Sequence, residues 1–136
     1  MHRGASMKWS RFLVSLLTVA ACSASSDDLD AAHRRWRQQA LTDYSFDYRT
    51  TGFAPPVDVR IRVTAGVPAV VENRRTDSVL ALDQAPTIEA LFDEVQRSQA
   101  EVTVHYDPRF GFPAMAHFDH GQEGDGFEVS AFQPAP

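Results

Sequence analysis

The sequence predicts an α+β domain: an antiparallel β-sheet of about six strands with two amphipathic helices packed on one face, in the order α-βββ-α-βββ. Three observations predict it. Two segments repeat apolar residues at the three-and-four spacing of a helix, others alternate apolar and polar residues as half-buried strands do, and the strands are joined by short turns that favour antiparallel neighbours. The 136 residues include 43% apolar and 23% charged, which fits one globular domain and neither a disordered chain nor an integral membrane protein.

The first helix is expected over Asp28–Leu41. Ser25-x-x-Asp28 has the form of a capping box, and Asp27, Asp28 and Asp30 place negative charge where a helix dipole favours it. Leu29, Ala32, Trp36 and Ala40 form one apolar stripe, with Arg34, Arg35 and Arg37 towards the carboxyl end. From Tyr44 the period changes to two. Tyr44, Phe46 and Tyr48 alternate with Ser45, Asp47 and Arg49, and the spacing assigns these aromatics, with Trp36, to the core. After Pro55-Pro56, Val57, Val59, Ile61 and Val63 alternate with Asp58, Arg60 and Arg62, a strand with one wet face. Ala65-Gly66 supplies a tight reversal into Val67–Val71. Asn73 to Ala85 reads as polar and irregular, with an apolar patch at Val79–Leu82.

Pro86-Thr87 opens the second helix, in which Ile88, Leu91, Phe92 and Val95 share a face. Val102, Val104 and Tyr106 then alternate with Glu101, Thr103, His105 and Asp107. Asp107-Pro108 is turn chemistry, the carboxylate bonding nearby backbone amides. Ala114, Ala116 and Phe118 form the next strand, and a Gly-rich loop, Gly121 to Gly126, leads to Phe127, Val129 and Ala131 in the last.

Residues 1–21 read as an address. A basic stub at Met7–Arg11 precedes the apolar run Phe12–Ala20, too short for the roughly 20-residue helix that spans a bilayer and suited to a secretory signal starting at Met7. Val19-Ala20-Ala21-Cys22 resembles a bacterial lipobox, which makes Cys22 the lipidated first residue of the mature chain. The domain organisation is then a lipoprotein signal peptide over 1–21, a polar tether over 22–27 and a single domain over 28–136. This places the protein in the bacterial cell envelope, with a membrane as its first partner through the lipid.

The whole chain carries 13 basic and 18 acidic residues. Arg3, Lys8 and Arg11 fall within 1–21 and no acidic residue does, so 13 less 3 leaves 10 basic residues, all arginines, against 18 acidic ones, a net charge of −8. That balance argues against nucleic acid as a partner. Cys22 is the sole cysteine, so no internal disulfide forms and stability rests on burial.

The order of motifs is informative beyond the individual elements. Trp36 precedes Tyr44-Ser45-Phe46; Val57-x-Val59-x-Ile61-x-Val63 leads into Ala65-Gly66-Val67; Thr87-Ile88-Glu89-x-Leu91-Phe92 opens a helix. Tyr106-Asp107-Pro108-x-x-Gly111-x-Pro113 joins two strands and Asp125-Gly126-Phe127-x-Val129-Ser130-x-Phe132 closes the chain. In this order, from about Ala31 to Phe132, the chain resembles the small bacterial secreted proteins and lipoproteins of the DUF6174 group. The resemblance implies an exported domain and brings no catalytic residues or cofactor. Relatives often carry Cys-x-Cys where this chain has Gly52-Phe53-Ala54-Pro55. If that pair binds metal or forms a disulfide in the group, neither happens here, and either its role was structural and dispensable or this member has lost it.

Two functions from different classes are consistent with these residues. The favoured one is a non-catalytic envelope lipoprotein, without cofactor, that binds another envelope component through the open sheet face, where Asp58, Arg60 and Arg62 lie. The alternative is a metal-dependent or hydrolytic activity centred on His105, His117 and Asp119, imidazoles and a carboxylate on neighbouring strands. Helical His-x-x-x-His spacing, a nucleophile elbow and a phosphate-cradling loop are missing from the sequence. Asp119–Ser130 mimics a calcium loop in part, with Ser130 where a bidentate Glu is needed.

Overall fold

The computed structural model describes residues 26–75 and 80–136. The expected signal segment over 1–21, Cys22, the expected Ser25 cap and Val79 lie outside the described residues. The elements are α1 (Ser26–Gln38), β1 (Tyr44–Gly52), β2 (Asp58–Thr64), β3 (Val67–Asn73), a 3-10 turn (Leu82–Gln84), α2 (Ile88–Arg97), β4 (Glu101–Tyr106), β5 (Pro113–Asp119) and β6 (Gly124–Pro134). The strands form one antiparallel sheet in the order β3-β2-β1-β6-β5-β4. Each half of the chain is thus a three-stranded meander, and pairing of β1 with β6 joins the halves. The sequence-based fold, an α+β sheet with two helices in the order α-βββ-α-βββ, is the observed one.

One face of the sheet and the helices enclose the core. Tyr44, Phe46, Val59, Ile61, Val63, Ala116, Phe118, Phe127 and Val129 from the strands meet Ala32 and Trp36 of α1 and Ile88, Leu91 and Phe92 of α2. Phe46, Ile61, Ile88 and Leu91 are 0% exposed, and burying each such side chain stabilises by about 1.5–3 kcal/mol. Trp36 meets Tyr44 and Phe112 edge-on, with ring centroids 5.3 and 6.4 Å away. Of the aromatics at period two, Tyr44 and Phe46 are core as their spacing implies, and Tyr48 is half-buried against it.

Polar contacts dock the helices on this core. The Thr87 hydroxyl accepts from Ala90 N–H at 3.1 Å, capping α2. The Tyr44 hydroxyl accepts from Ile88 N–H at 3.1 Å, so a core strand satisfies a second orphan donor of that helix. From the first turn of α2, Glu89 takes Trp36 Nε1–H at 3.1 Å on one oxygen and meets His33 Nε2 at 2.7 Å on the other. His33 also stacks on Phe92 at 4.4 Å.

Three sequence-based boundaries are corrected. The first helix ends at Gln38 rather than Leu41, because Ala40 takes a left-handed φ of 50° and turns the chain towards β1. Ala40 is therefore exposed, and the apolar stripe stops at Trp36. The Gly-rich loop is shorter than expected, since Gly124 and Gly126 belong to β6. A Cβ on Gly126 would lie 2.0 Å from Ala116 O, so the close approach of β5 requires glycine there. The third correction concerns Ala131. Its φ is 48°, and the β1–β6 register slips by one residue between Ser45 and Asp47. This bulge turns Phe132 into the core, against Phe112 at 4.7 Å and Phe110 at 4.9 Å, where plain alternation would have placed Ala131.

Candidate site on the open sheet face

The face opposite the helices is built by the polar half of each alternation, and the register decides which charges meet. Asp47 on β1 stands opposite Arg60 on β2 and Ser130 on β6. One step along, Arg49 stands between Asp58 and Glu128. Such pairs are the unit from which a sheet face gains stability.

Two of these carboxylates are buried. Asp47 is 5% and Asp58 6% exposed, an arrangement that costs several kcal/mol per ion unless opposite charge and hydrogen bonds offset it. The offset comes from arginines. Arg60 Nε lies 2.9 Å from Asp47 Oδ1, an ion pair not aligned as a hydrogen bond, which leaves that buried oxygen without a hydrogen-bond donor. Arg74 comes from just beyond β3. Its backbone N–H donates to Asp58 O at 2.9 Å, and Nη1 lies 2.8 Å from Asp47 Oδ2 and 3.4 Å from Asp58 Oδ1. Arg75 reaches Asp58 Oδ2 at 3.7 Å while its side chain stays 70% exposed. Arg49 pairs with Glu128 at the surface.

A cleft of about 240 Å³ lies among Asp47, Arg49, Asp58, Arg74, Arg75, Glu128 and Ser130. Its floor is two fixed carboxylates, and its rim carries Arg49, Arg75 and Glu128 with donor and acceptor capacity facing solvent. Such a surface can make charge-assisted hydrogen bonds to a ligand bearing both signs of charge.

Of the face residues named from sequence, Asp58 lies in the floor, Arg60 is half-buried against Asp47, and Arg62 is exposed one step further along β2. Asp58 and Arg60 are thus structural charges of the cleft rather than free surface charges. Sequence reasoning missed Arg74 and Arg75, which lie in the segment read as irregular. Their side-by-side position just past the strand segment Val67–Val71 was the available signal.

The metal reading is not assembled. His105 stands opposite Met115, and His117 opposite Thr103, so the two imidazoles are diagonal rather than paired. The ring of His117 lies over β6, where a Cβ on Gly124 would be 2.6 Å from His117 Cε1. Asp119 spends Oδ1 on Gly121 N–H at 2.8 Å, closing the β5–β6 hairpin. Among the described residues, no three His, Cys, Asp or Glu side chains gather as a metal ion requires. Asp107 fixes its turn as expected, Oδ1 accepting from Arg109 N–H at 2.9 Å and Phe110 N–H at 2.7 Å.

A second cluster lies where α2 meets the sheet. Glu94 is held above its ordinary range by desolvation, with the Asp125 carboxylate adding to the effect. Tyr48 is pushed up to about 12 by burial, then by the charges of Glu94 and Asp125. Asp125 in turn meets His120 Nε2 at 3.1 Å.

The family model described as "Family of unknown function (DUF6174)" matches residues 28–132. The chain belongs to this family. The match runs from the first turns of α1 through Phe132, so the open-face cleft and the bulge of β6 lie within the DUF6174 domain. No curated protein and no solved structure matches the chain. Among the described residues of this DUF6174 domain, no helix is long and apolar enough to cross a membrane.

Proposed function

We propose that this chain is a non-catalytic binding module, exported and held at the bacterial cell envelope by lipid on Cys22, whose open sheet face engages another envelope component. The observation that carries the reading is the asymmetry of the sheet. One face is closed by two helices, while the other presents a cleft of about 240 Å³ with a buried, arginine-braced carboxylate floor and a charged rim. Holding Asp47 and Asp58 out of water brings little net stability, whereas rigid charges at a cleft give selectivity for a partner of matching pattern. The basic stub, short apolar run and Ala20-Ala21-Cys22 ending support export and lipidation.

The test has two arms. Labelling producing cells with a radioactive fatty acid is expected to mark the natural chain and not Cys22→Ser. Cross-linked capture from detergent-solubilised envelopes is then compared for the natural chain, for Arg49→Glu with Arg75→Glu, and for Arg34→Glu with Arg37→Glu on α1. Recovery of the partner is expected to fall at least about tenfold for the rim pair and to persist for the helix pair. Equal recovery from all three withdraws the open face as the binding surface.

A further inference from the structure

The two edges of the sheet are finished differently. At the β3 edge, Pro68 lacks an N–H to offer, the register slips between Arg62 and Val63, and the 3-10 turn Leu82–Gln84 packs alongside. These are the devices by which natural sheets blunt an edge against pairing with another chain. At the other edge, Glu101–Tyr106 of β4 contains no proline or glycine, and its register with β5 is regular from Glu101 to His105. Glu101, Thr103 and His105 are exposed on the open face, and Val102, Val104 and Tyr106 are half-buried on the helix face.

The pattern of β4 matches itself. We propose that β4 is a self-pairing edge: a second copy of this chain adds its own β4 antiparallel, about a two-fold axis at Thr103, so that one sheet continues across both copies. This register sets Glu101 opposite the partner's His105, and His105 opposite the partner's Glu101, an imidazole N–H donor against a carboxylate acceptor on each side of the axis. Thr103 faces the partner's Thr103 in a favourable hydroxyl pair. On the helix face, Val102 meets the partner's Val104, covering apolar surface that the single chain leaves partly open.

Neighbouring registers are worse. An axis at Val104 would set Glu101 against the partner's Asp107, a repulsive pair made twice. An axis at Val102 would set Glu101 against the partner's Thr103 and lose both Glu–His pairs. Half-step registers do not arise, because two-fold pairing through one edge keeps the helices of both copies on the same side of the sheet. Isologous pairing about one axis also closes the assembly at two copies, since each β4 is consumed. The charged cleft lies across β1, β2 and β6, so binding there and pairing at β4 succeed or fail separately.

Sedimentation equilibrium of the full chain in detergent, at up to about 100 μM, is expected to show a monomer–dimer equilibrium. His105→Glu sets carboxylates opposite one another on both sides of the axis and is expected to weaken dimerisation by about tenfold or more. Adding Glu101→His to that variant restores it. In the full chain carrying Cys22→Ser, Thr103→Cys is expected to form an intermolecular disulfide on mild oxidation, while Val67→Cys on the opposite edge does not. A monomer throughout, a dimer indifferent to His105→Glu, or cross-linking through Val67→Cys in place of Thr103→Cys each overturns the proposal. Circular dichroism of every variant establishes that its fold is retained before its result is read.

Discussion

The Nη1 atom of Arg74 lies 2.8 Å from Oδ2 of Asp47, so a residue beyond the end of β3 neutralises a carboxylate in the middle of β1. Arg60 completes the bracket from β2. Three strands' worth of sheet is tied at one buried group, and the charges left over form the rim of the cleft.

Removing that group leaves two arginines facing each other over an empty position. Asp47→Ala is expected to cost about 2 kcal/mol, below the 3–5 kcal/mol typical of a fully buried broken pair, because Arg60 and Arg74 regain some water. Their side chains are already 34% and 35% exposed. Arg62→Glu, on the same strand but exposed, should stay within about 0.5 kcal/mol of the natural chain. Urea unfolding of the two variants checks the contrast, and equal losses would remove Asp47 from its structural role.

Glu94 gives the fold a pH dependence whose sign follows from the desolvation of its carboxyl. Its carboxyl, near 4.5 when unfolded, is raised in the fold by desolvation and then by Asp125. The native state therefore binds more protons than the unfolded state across that window. The contribution is fully present below pH 4.5 and is lost as pH rises through the folded value. Glu94→Gln, which mimics the protonated form, should stabilise the domain at neutral pH and remove this part of the slope. Unfolding midpoints measured from about pH 4 to about pH 8 test it; superimposable profiles for the variant and the natural chain would contradict it.

Alanine occupies left-handed positions where glycine is unstrained. Ala65 and Gly66 have φ of 52° and 74° at the β2–β3 reversal, both positive as a type I′ turn demands. Ala65→Gly is expected to raise stability by about 0.5–1 kcal/mol, the relief of left-handed strain outweighing the added freedom of the unfolded chain. Thermal melting measures it, and a lowered midpoint would show that the strain is absent.

Glu89 joins the two helices through His33 and Trp36. Glu89→Ala leaves the part-buried indole N–H without its acceptor and should cost about 1–2 kcal/mol. Trp36 fluorescence, followed in the unfolding transition, reports both the loss and the altered indole environment. Unchanged stability would make the contact incidental.

Much of this fold was legible because it is local. Periodicity alone separates Ile88–Val95 from Tyr44–Tyr48, and Phe92, Tyr44 and Phe46 are buried as their spacing implies. The slip at Ala131 was not legible, because it depends on how β6 meets β1, strands joined only by pairing of residues such as Asp47 and Ser130 that are far apart in sequence. The candidate site was read in part for the same reason. Alternation marks Asp58 and Arg60 as one face of a strand, but nothing local says that Arg74 and Arg75 fold back over that face and carry Asp47 and Asp58 out of water. An alternating strand reads as half wet until tertiary contacts cover its polar side.

Photo-cross-linking in living cells distinguishes binding at the open sheet face from binding at the helices. A photoreactive amino acid is placed at Arg62 on the open sheet face, or at Arg34 on the helix side, in the otherwise natural full chain. A discrete cross-linked product in the envelope fraction is expected from position 62 and none from position 34. A product from the helix position with none from the sheet position would contradict binding at the open face.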